Sequence, residues 1–569
     1  MFCKEVYLLK LSTNAVEVLK RRYLLKDSKG KIIETPEQMF RRVSKHVANG
    51  NKKLEGEFYQ VMSNLEFLPN SPTLMNAGTR LGQLSACFVL PVDDSIESIF
   101  DTLKISALIH QTGGGTGFSF SRIRPKGDIV GSTKGIASGP VSFMQIYDKT
   151  TDVIKQGGKR RGANMGILRV DHPDIIEFIT TKKNEELFNN FNLSVGITDK
   201  FMKAVKENKK YDLINPRTGK VVNKVNARKI FDLMIDMAWK TGDPGVVFLD
   251  EINRKHPLKL IGKIESTNPC GEVPLLPYES CNLGSINLAK FVKDGNIDYG
   301  KLRRVIQVAV HFLDNVIDVN KYPLVEIEKI TKANRKIGLG VMGFADMLIL
   351  LGISYDSKEA LNIADRLMEF ISQEARNVSI WLAKKKGNFP NFKKSEWSRE
   401  YKEMRNSTVT TIAPTGTISI IVDCSNGIEP LFAISFTRRV LGGKELFNIN
   451  PIFEKIAKEK GFFSKRLIEK ISKKDSIQDV SEIPKEIRGL FVTAHDIKPE
   501  QHVKMQAVFQ KHVDNAVSKT VNFRKKATKE DVKKIFLMTH DLKCKGITVY
   551  REGSKKEQVI SIGKCKVCV

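Results

Sequence analysis

Asn268, Cys270 and Glu272 put a hydrogen-bonding amide, a thiol and a carboxylate at alternate positions of S-T-N-P-C-G-E-V-P, and Cys281 follows eleven residues after Cys270. Pro269 disfavours helix at Asn268, and Gly271 permits close approach of a ligand. The stretch is therefore expected to be extended, and alternation would then turn all three side chains to one side. An amide, a sulfur and a proton acceptor in one small volume make a site for chemistry on a bound substrate. The plain alternative is a buried structural cysteine beside a turn. Zinc fits poorly, because Cys270 and Cys281 have neither a nearby C-x-x-C nor a histidine pair. A nucleophilic thiol would want a histidine partner, and none of the nine histidines stands in such a pattern.

Other stretches suggest phosphate and substrate contacts. VTTIAPTGTIS (Val409–Ser419) reads as a strand ending in small hydroxyl and glycine residues, which can offer backbone N–H groups to a phosphate where a helix begins. It lacks the lysine of a P-loop, and an ordinary tight turn fits equally well. HQTGGGTGFSFSRIRPKGD is glycine-dense after a helix and before a strand, the reverse of the dinucleotide-binding order, so its glycines are expected to let backbone approach a substrate. VIKQGGKRRGANMG (Val153–Gly166) is a loop rich in cations, suited to a nucleotide or simply to solvent. Cys565 and Cys568 form a C-x-x-C one residue from the C-terminus, half a zinc knuckle or, better, a dithiol exchange pair.

These motifs need elements to hold them. Residues 1–65 carry helical spacing, as in AVEVLKRRYLL and in PEQMFRRVSKHVA, the latter opened by Thr35-Pro36. From 66 to 553, short β-branched runs alternate with amphipathic helices such as SIESIFDTLKISALIHQ and KIFDLMIDMAWK, the α/β rhythm. Residues 455–498 read as helical decoration, and 554–569 as a mobile tail.

The chain has 569 residues with 41% hydrophobic and 28% charged, which marks an ordered globular protein. Length suggests about four domains, or fewer if a large barrel absorbs most of the chain. The formal charge of +29 would attract phosphates, but the lysines are scattered without interleaved aromatics, so no dedicated nucleic-acid surface is expected. Eight cysteines are too few for a disulfide scaffold, and neither a signal peptide nor a bilayer-length apolar run is present. The expectation is a reducing cytoplasm and no membrane.

Taken together, NSPTLMNAG, SACFVLPVDDSIESIF, TGGGTGFSFSRIRP, QGGKRRGANMGIL, GDPGVVFLDEIN, NPCGE, ESCNLGSINL, RKIGLGVMGFADML, APTGT, NGIEP, SKTVNF and CKGITVYREGS resemble, in order, the catalytic chain of ribonucleotide reductases. The likeness is to the adenosylcobalamin-dependent class II. No Tyr-Tyr pair of the oxygen-dependent class and no C-terminal glycyl motif occurs, whereas CKGITVYREGS matches the cobalamin class.

The resemblance implies a ten-stranded α/β barrel with a catalytic loop at its centre, after a small helical region without an ATP cone. It gives Cys270 the thiyl radical, Glu272 the base at the 3′ hydroxyl, Asn268 the orienting amide, and Cys87 with Cys281 the reducing dithiol. It makes Ser71, Ala86, Cys87, Gly115 and Asn268 substrate contacts, and Pro414, Thr415, Gly416, Thr417 and Ile418 a diphosphate cradle at a helix N-terminus. Asp94, Ser95, Ile96 and Arg124 resemble a deoxynucleoside triphosphate effector site at a dimer interface, and Lys155, Gln156 and Arg160 the loop that carries the effector signal. Cys565 and Cys568 would shuttle electrons from thioredoxin or glutaredoxin. Further expectations are a ribonucleoside diphosphate or triphosphate substrate, a homodimer, no radical-generating second subunit and no protein-ligated metal. The cofactor is expected to keep its own base, since the chain lacks a D-x-H-x-x-G motif.

Overall fold

The computed structural model describes residues 9–131, 134–154, 162–184, 187–439, 445–554 and 560–561. Three helices lead in: α1 (Thr13–Arg22), α2 (Pro36–Ala48) and α3 (Lys52–Ser63). Each start is fixed by a side chain that accepts an otherwise unpaired N–H: Ser12 from Ala15, Thr35 from Gln38, and Asn51 from Leu54. At α2 the Gln38 side chain returns the bond to the Thr35 N–H, completing a capping box. Met39, Phe40, Val43 and Val47 recur at helical spacing and are buried with the helices Tyr299–Val319 and Lys358–Lys386.

The rest is built on one ten-stranded sheet. Its strands are β1 (Phe67–Pro69), β2 (Cys87–Pro91), β3 (Gly115–Ser119), β4 (Asn164–Arg169), β5 (Phe191–Ile197), β6 (Gly245–Phe248), β7 (Ser280–Asn287), β8 (Ile337–Met342), β9 (Thr520–Phe523) and β10 (Gly546–Arg551). β2 to β6 run parallel in chain order. A second parallel set runs from β7 to β8, through bridges Leu339–Thr410 and Ile412–Val517, to β9 and β10. The two sets meet antiparallel at β7 with β2 and at β10 with β6, which closes the ring, while β1 lies antiparallel on β7. The expected ten-stranded α/β barrel after a helical lead-in is therefore the fold observed.

Closure decides what happens to the strands' inner faces. Helices, including α5 (Ile96–Gln111) and α6 (Pro140–Val153), cover the outside, where Tyr147 meets Phe118 and Phe120 edge-on and Phe191 packs tilted against Phe120. The inside holds a smaller cluster of Cys87, Val89, Val273, Leu275, Cys281, Leu283 and Ala413. Val273 and Leu275 belong to no barrel strand. They sit on a two-stranded hairpin, Ser266–Thr267 paired with Pro274–Leu275, that enters the barrel.

Candidate active site

The hairpin's tip is Asn268-Pro269-Cys270-Gly271. The Gly271 N–H donates to the Asn268 carbonyl at 3.0 Å, so the stretch is a β-turn, with proline second and glycine, at φ +80°, fourth. This corrects the extended reading. Proline restricts the residue before it, but one 3.0 Å bond across four residues is enough to fold the segment back. Asn268 and Glu272 are buried at the base of the turn, and Cys270 is exposed at its tip. Alternation thus fails, yet convergence holds for a different reason: the turn is short.

Both halves of the barrel tether it. From β5, the Asn192 amide donates to the Pro269 carbonyl at 2.8 Å. From the second half, the Thr411 hydroxyl and the Ala516 N–H both donate to the Glu272 carbonyl, at 2.8 and 2.9 Å. The Asn268 side chain closes the turn by accepting from the Val273 N–H at 2.9 Å. Its amide nitrogen is left to donate to Cys87 Sγ at 3.0 Å.

Cys87 and Cys281 come together through strand pairing. They are direct cross-strand partners in the antiparallel register of β2 with β7. Burial pushes the Cys87 thiol well up, and the nearby Glu272, Cys281 and Cys270 push it further, against the Asn268 hydrogen bond. Cys281 is likewise raised by burial, opposed by Lys336. Both are therefore protonated thiols at neutral pH, suited to giving up hydrogen rather than to attacking as thiolates. Asn268, Cys270, Glu272, Cys87 and Cys281 form one cluster.

The glycine-rich strand has an unexpected task. A Cβ on Gly115 would stand 2.9 Å from Pro269 Cγ, and one on Gly117 would collide with the Thr267 carbonyl. These glycines make room for the hairpin, a task that the sequence reading did not assign to them. The preceding helix anchors them: buried His110 contacts the Gly114 carbonyl at 3.1 Å and Asn164 Oδ1 at 2.9 Å.

The remaining expected residues are placed as follows. Ser71 opens α4 (Ser71–Asn76) and meets Tyr23 Oη at 2.7 Å, Ala86 is half-buried beside Cys87, and Gly115 is buried. Pro414 and Cys270 line one cavity. Thr415 has φ +50° and its hydroxyl accepts from the Gly427 N–H at 2.7 Å, while Gly416 is exposed and Thr417 accepts from Arg22 at 3.0 Å. The helix begun by Ile418 is only four residues long, so the cradle is mostly turn. Asp94 holds Arg124 by two contacts of 2.8 and 3.0 Å, Ser95 caps α5, and Ile96 is exposed at its start. Lys155, Gln156, Arg160, Cys565 and Cys568 lie outside the described residues. Asn192, Thr411 and Ala516 were not legible as site residues, because their role is to hold a turn that sequence spacing had read as extended.

Cys270 opens onto a cavity of about 960 Å³, at the upper end of the roughly 300–1,000 Å³ usual for small-molecule sites. Its walls come from β5, β6 and β10, from residues 423–433 and from 447–451. No histidine is among its lining residues. Among the described residues, no group of three or more His, Cys, Asp or Glu is placed to hold a metal ion.

Comparison with known proteins settles the family. The profile "Ribonucleotide reductase, barrel domain" matches residues 85–550, and "Ribonucleotide reductase, all-alpha domain" matches 9–82. The chain belongs to the ribonucleotide reductase family. As a member it is an oxidoreductase. It is 54% identical to a vitamin B12-dependent ribonucleoside-diphosphate reductase of Thermoplasma acidophilum, over 98% of this chain and 81% of that one. A Mycobacterium tuberculosis protein of the same name is 50% identical, over 97% and 81%. The alpha subunit of an Actinobacillus ureae class Id ribonucleotide reductase superposes with a TM-score of 0.80 at 24% identity, covering 95% of this chain and 97% of that one, a likeness of fold.

Proposed function

We infer that this chain is an adenosylcobalamin-dependent ribonucleotide reductase that replaces the 2′ hydroxyl of a ribonucleotide by hydrogen and so supplies DNA precursors. The observation that carries the reading is the register of Cys87 against Cys281 beside the Asn268–Glu272 turn. Three thiols and a carboxylate, drawn from β2, the hairpin turn and β7, meet within a closed barrel, and radical reduction of a ribose needs that set.

Position supports the roles that the family resemblance implies. Cys270, at the exposed tip, is the thiyl that takes the 3′ hydrogen and returns it at the end of the cycle. Glu272 accepts the 3′ hydroxyl proton, and Asn268 orients the sugar while holding Cys87. Cys87 and Cys281 give two electrons and two protons; the 2′ oxygen leaves as water and the thiols join as a disulfide. Cys565 and Cys568 would reduce that disulfide and be reduced by thioredoxin or glutaredoxin.

The cavity beside Cys270 fits cobalamin: it is large and adjoins the thiol. It offers apolar side chains, Leu431, Phe432, Ile449, Ile547 and Val549 among them, with no histidine to displace the cofactor's own base. When bound, adenosylcobalamin supplies the radical equivalent that Cys270 receives. Ser71, Ala86, Gly115 and Pro414–Ile418 would hold the nucleotide. The 54% identical relative named a diphosphate reductase favours a ribonucleoside diphosphate substrate.

Asp94, Ser95, Ile96 and Arg124, with Lys155, Gln156 and Arg160, would bind a deoxynucleoside triphosphate effector. Exposed Ile96 and Phe100 on α5 and Val153 on α6 favour a homodimer across that face, without a radical-generating subunit. No described helix is long and apolar enough to cross a membrane, and buried free thiols suit a reducing cytoplasm.

The test is anaerobic turnover of a ribonucleoside diphosphate with adenosylcobalamin and dithiothreitol. Deoxynucleotide should form. Cobalamin binding without any deoxynucleotide, from either diphosphate or triphosphate, overturns the reading.

A further inference from the structure

Cys281 has a different neighbour on each side of its strand. On one side β2 brings Cys87. On the other, β8 starts with Ile337 level with Asn282, so one step back in the same parallel register Lys336 comes level with Cys281. Lys336 is buried at 2% exposure, and a lysine is rarely found so deep without a partner. Its partner is Glu279, at 2.6 Å, two residues before Cys281 and itself 1% exposed. Glu279 is held in turn by the Asn334 amide at 2.5 Å and the Leu276 N–H at 2.6 Å. The pair is therefore fixed, fully desolvated, and set directly behind one of the two thiols.

The two sulfurs differ in the charges that face them. Cys281 is met by Lys336, Glu279 and Glu272, and Lys336 is the only cation among them. Among the described residues, Cys87 is met by Glu272 and by the sulfurs of Cys281 and Cys270, and by no cation. Access differs as well: Cys87 lies beside the turn that carries exposed Cys270, whereas Cys281 is at 0% exposure.

We propose that Lys336, held by Glu279, is a positioning residue that makes Cys281 the leaving thiolate when the Cys87–Cys281 disulfide is re-reduced. This rests on the reading of Cys87 and Cys281 as the reducing pair. A thiolate of the external dithiol attacks Cys87 Sγ and the S–S bond breaks. Its electron pair goes to Cys281 Sγ, next to the Lys336 ammonium, and that sulfur then takes a proton. The second thiol of the reductant attacks the mixed disulfide, releases Cys87 as a thiolate that also takes a proton, and leaves as a disulfide. Two electrons pass from reductant to protein. Stabilising the leaving sulfur speeds exchange and fixes its direction.

The experiment takes the full chain through one turnover without reductant, gives a brief pulse of 2-mercaptoethanol, quenches with excess N-ethylmaleimide and maps both cysteines by peptide mass spectrometry. The maleimide should mark Cys281, with mercaptoethanol on Cys87. Removing both charges together, Lys336→Met with Glu279→Gln, leaves no orphan charge and should slow exchange about tenfold while mixing the labels. Lys336→Arg should restore both rate and direction.

Glu279→Gln alone frees the Lys336 charge and should quicken exchange. A merely structural pair would slow it, so the sign of that change is informative even where the double variant folds poorly. Labels and rates unchanged in the double variant, or slower exchange in Glu279→Gln, overturn the inference alone. If one turnover leaves no Cys87–Cys281 linkage, the reading of the pair falls and this inference falls with it.

Discussion

Cys270, Cys87 and Cys281 are three thiols in one cluster whose surroundings set them apart. Cys270 is exposed at the tip of a turn, and Cys87 and Cys281 are buried with their thiols held protonated. Iodoacetamide at pH 7 should therefore modify Cys270 in the folded chain and leave Cys87 and Cys281 unmodified until denaturant is added, as peptide mapping would reveal. Equal labelling of all three would contradict the burial. Cys270→Ala should abolish turnover and change stability by no more than about 0.5 kcal/mol, because the side chain is exposed at the tip of the turn. Urea unfolding alongside the turnover assay separates the two effects. At this scale the sequence was informative about residue types, since an amide, a thiol and a carboxylate at alternate positions already indicated a convergent site. Spacing said nothing of the meeting of Cys87 with Cys281, which only the family resemblance implied, because that contact is created by strand order.

Elements explain why the turn stands where it does. The hairpin crosses β3 at Gly117 and touches it at Gly115, and both halves of the barrel grip its backbone through Asn192, Thr411 and Ala516. Gly117→Ala should displace the Thr267 carbonyl. The expected result is a loss of about 1–3 kcal/mol from overpacking. Turnover should fall at least about 100-fold, because a shift of roughly 1 Å in a catalytic group has that effect. Gly56→Ala is the matching control, since Gly56 lies within α3 with open space around it and should gain up to about 1 kcal/mol without a change in rate. Helix starts such as Thr35-Pro36 were legible, because caps depend on residues three apart. The purpose of the glycines was not, because it depends on a segment about 150 residues further along that only the closed barrel brings near.

At the scale of the whole molecule, closing the ring buries groups that prefer water and leaves a cavity inside. His256 is 3% exposed, and burial, with Lys336 and other lysines nearby, holds its pKa down to about 2. The unfolded chain takes up that proton below about pH 6.5 and the folded chain does not. Stability is thus lost as pH falls, by about 1.4 kcal/mol per pH unit from this group. His256→Phe should lose about 2 kcal/mol less than the unaltered chain between pH 6.5 and 5.0 in urea unfolding at fixed ionic strength. The cavity permits a stricter test of the whole reading. A ligand that binds only the folded state at 100 times its dissociation constant adds about 2.7 kcal/mol, so adenosylcobalamin should raise the thermal midpoint. Thr548 on β10 is exposed on the cavity wall, where a larger side chain would fill space without displacing packed neighbours. Thr548→Trp should therefore keep the midpoint of the free protein while abolishing the rise with cobalamin. If cobalamin raises both midpoints equally, it binds elsewhere, and the space beside Cys270 must serve another ligand.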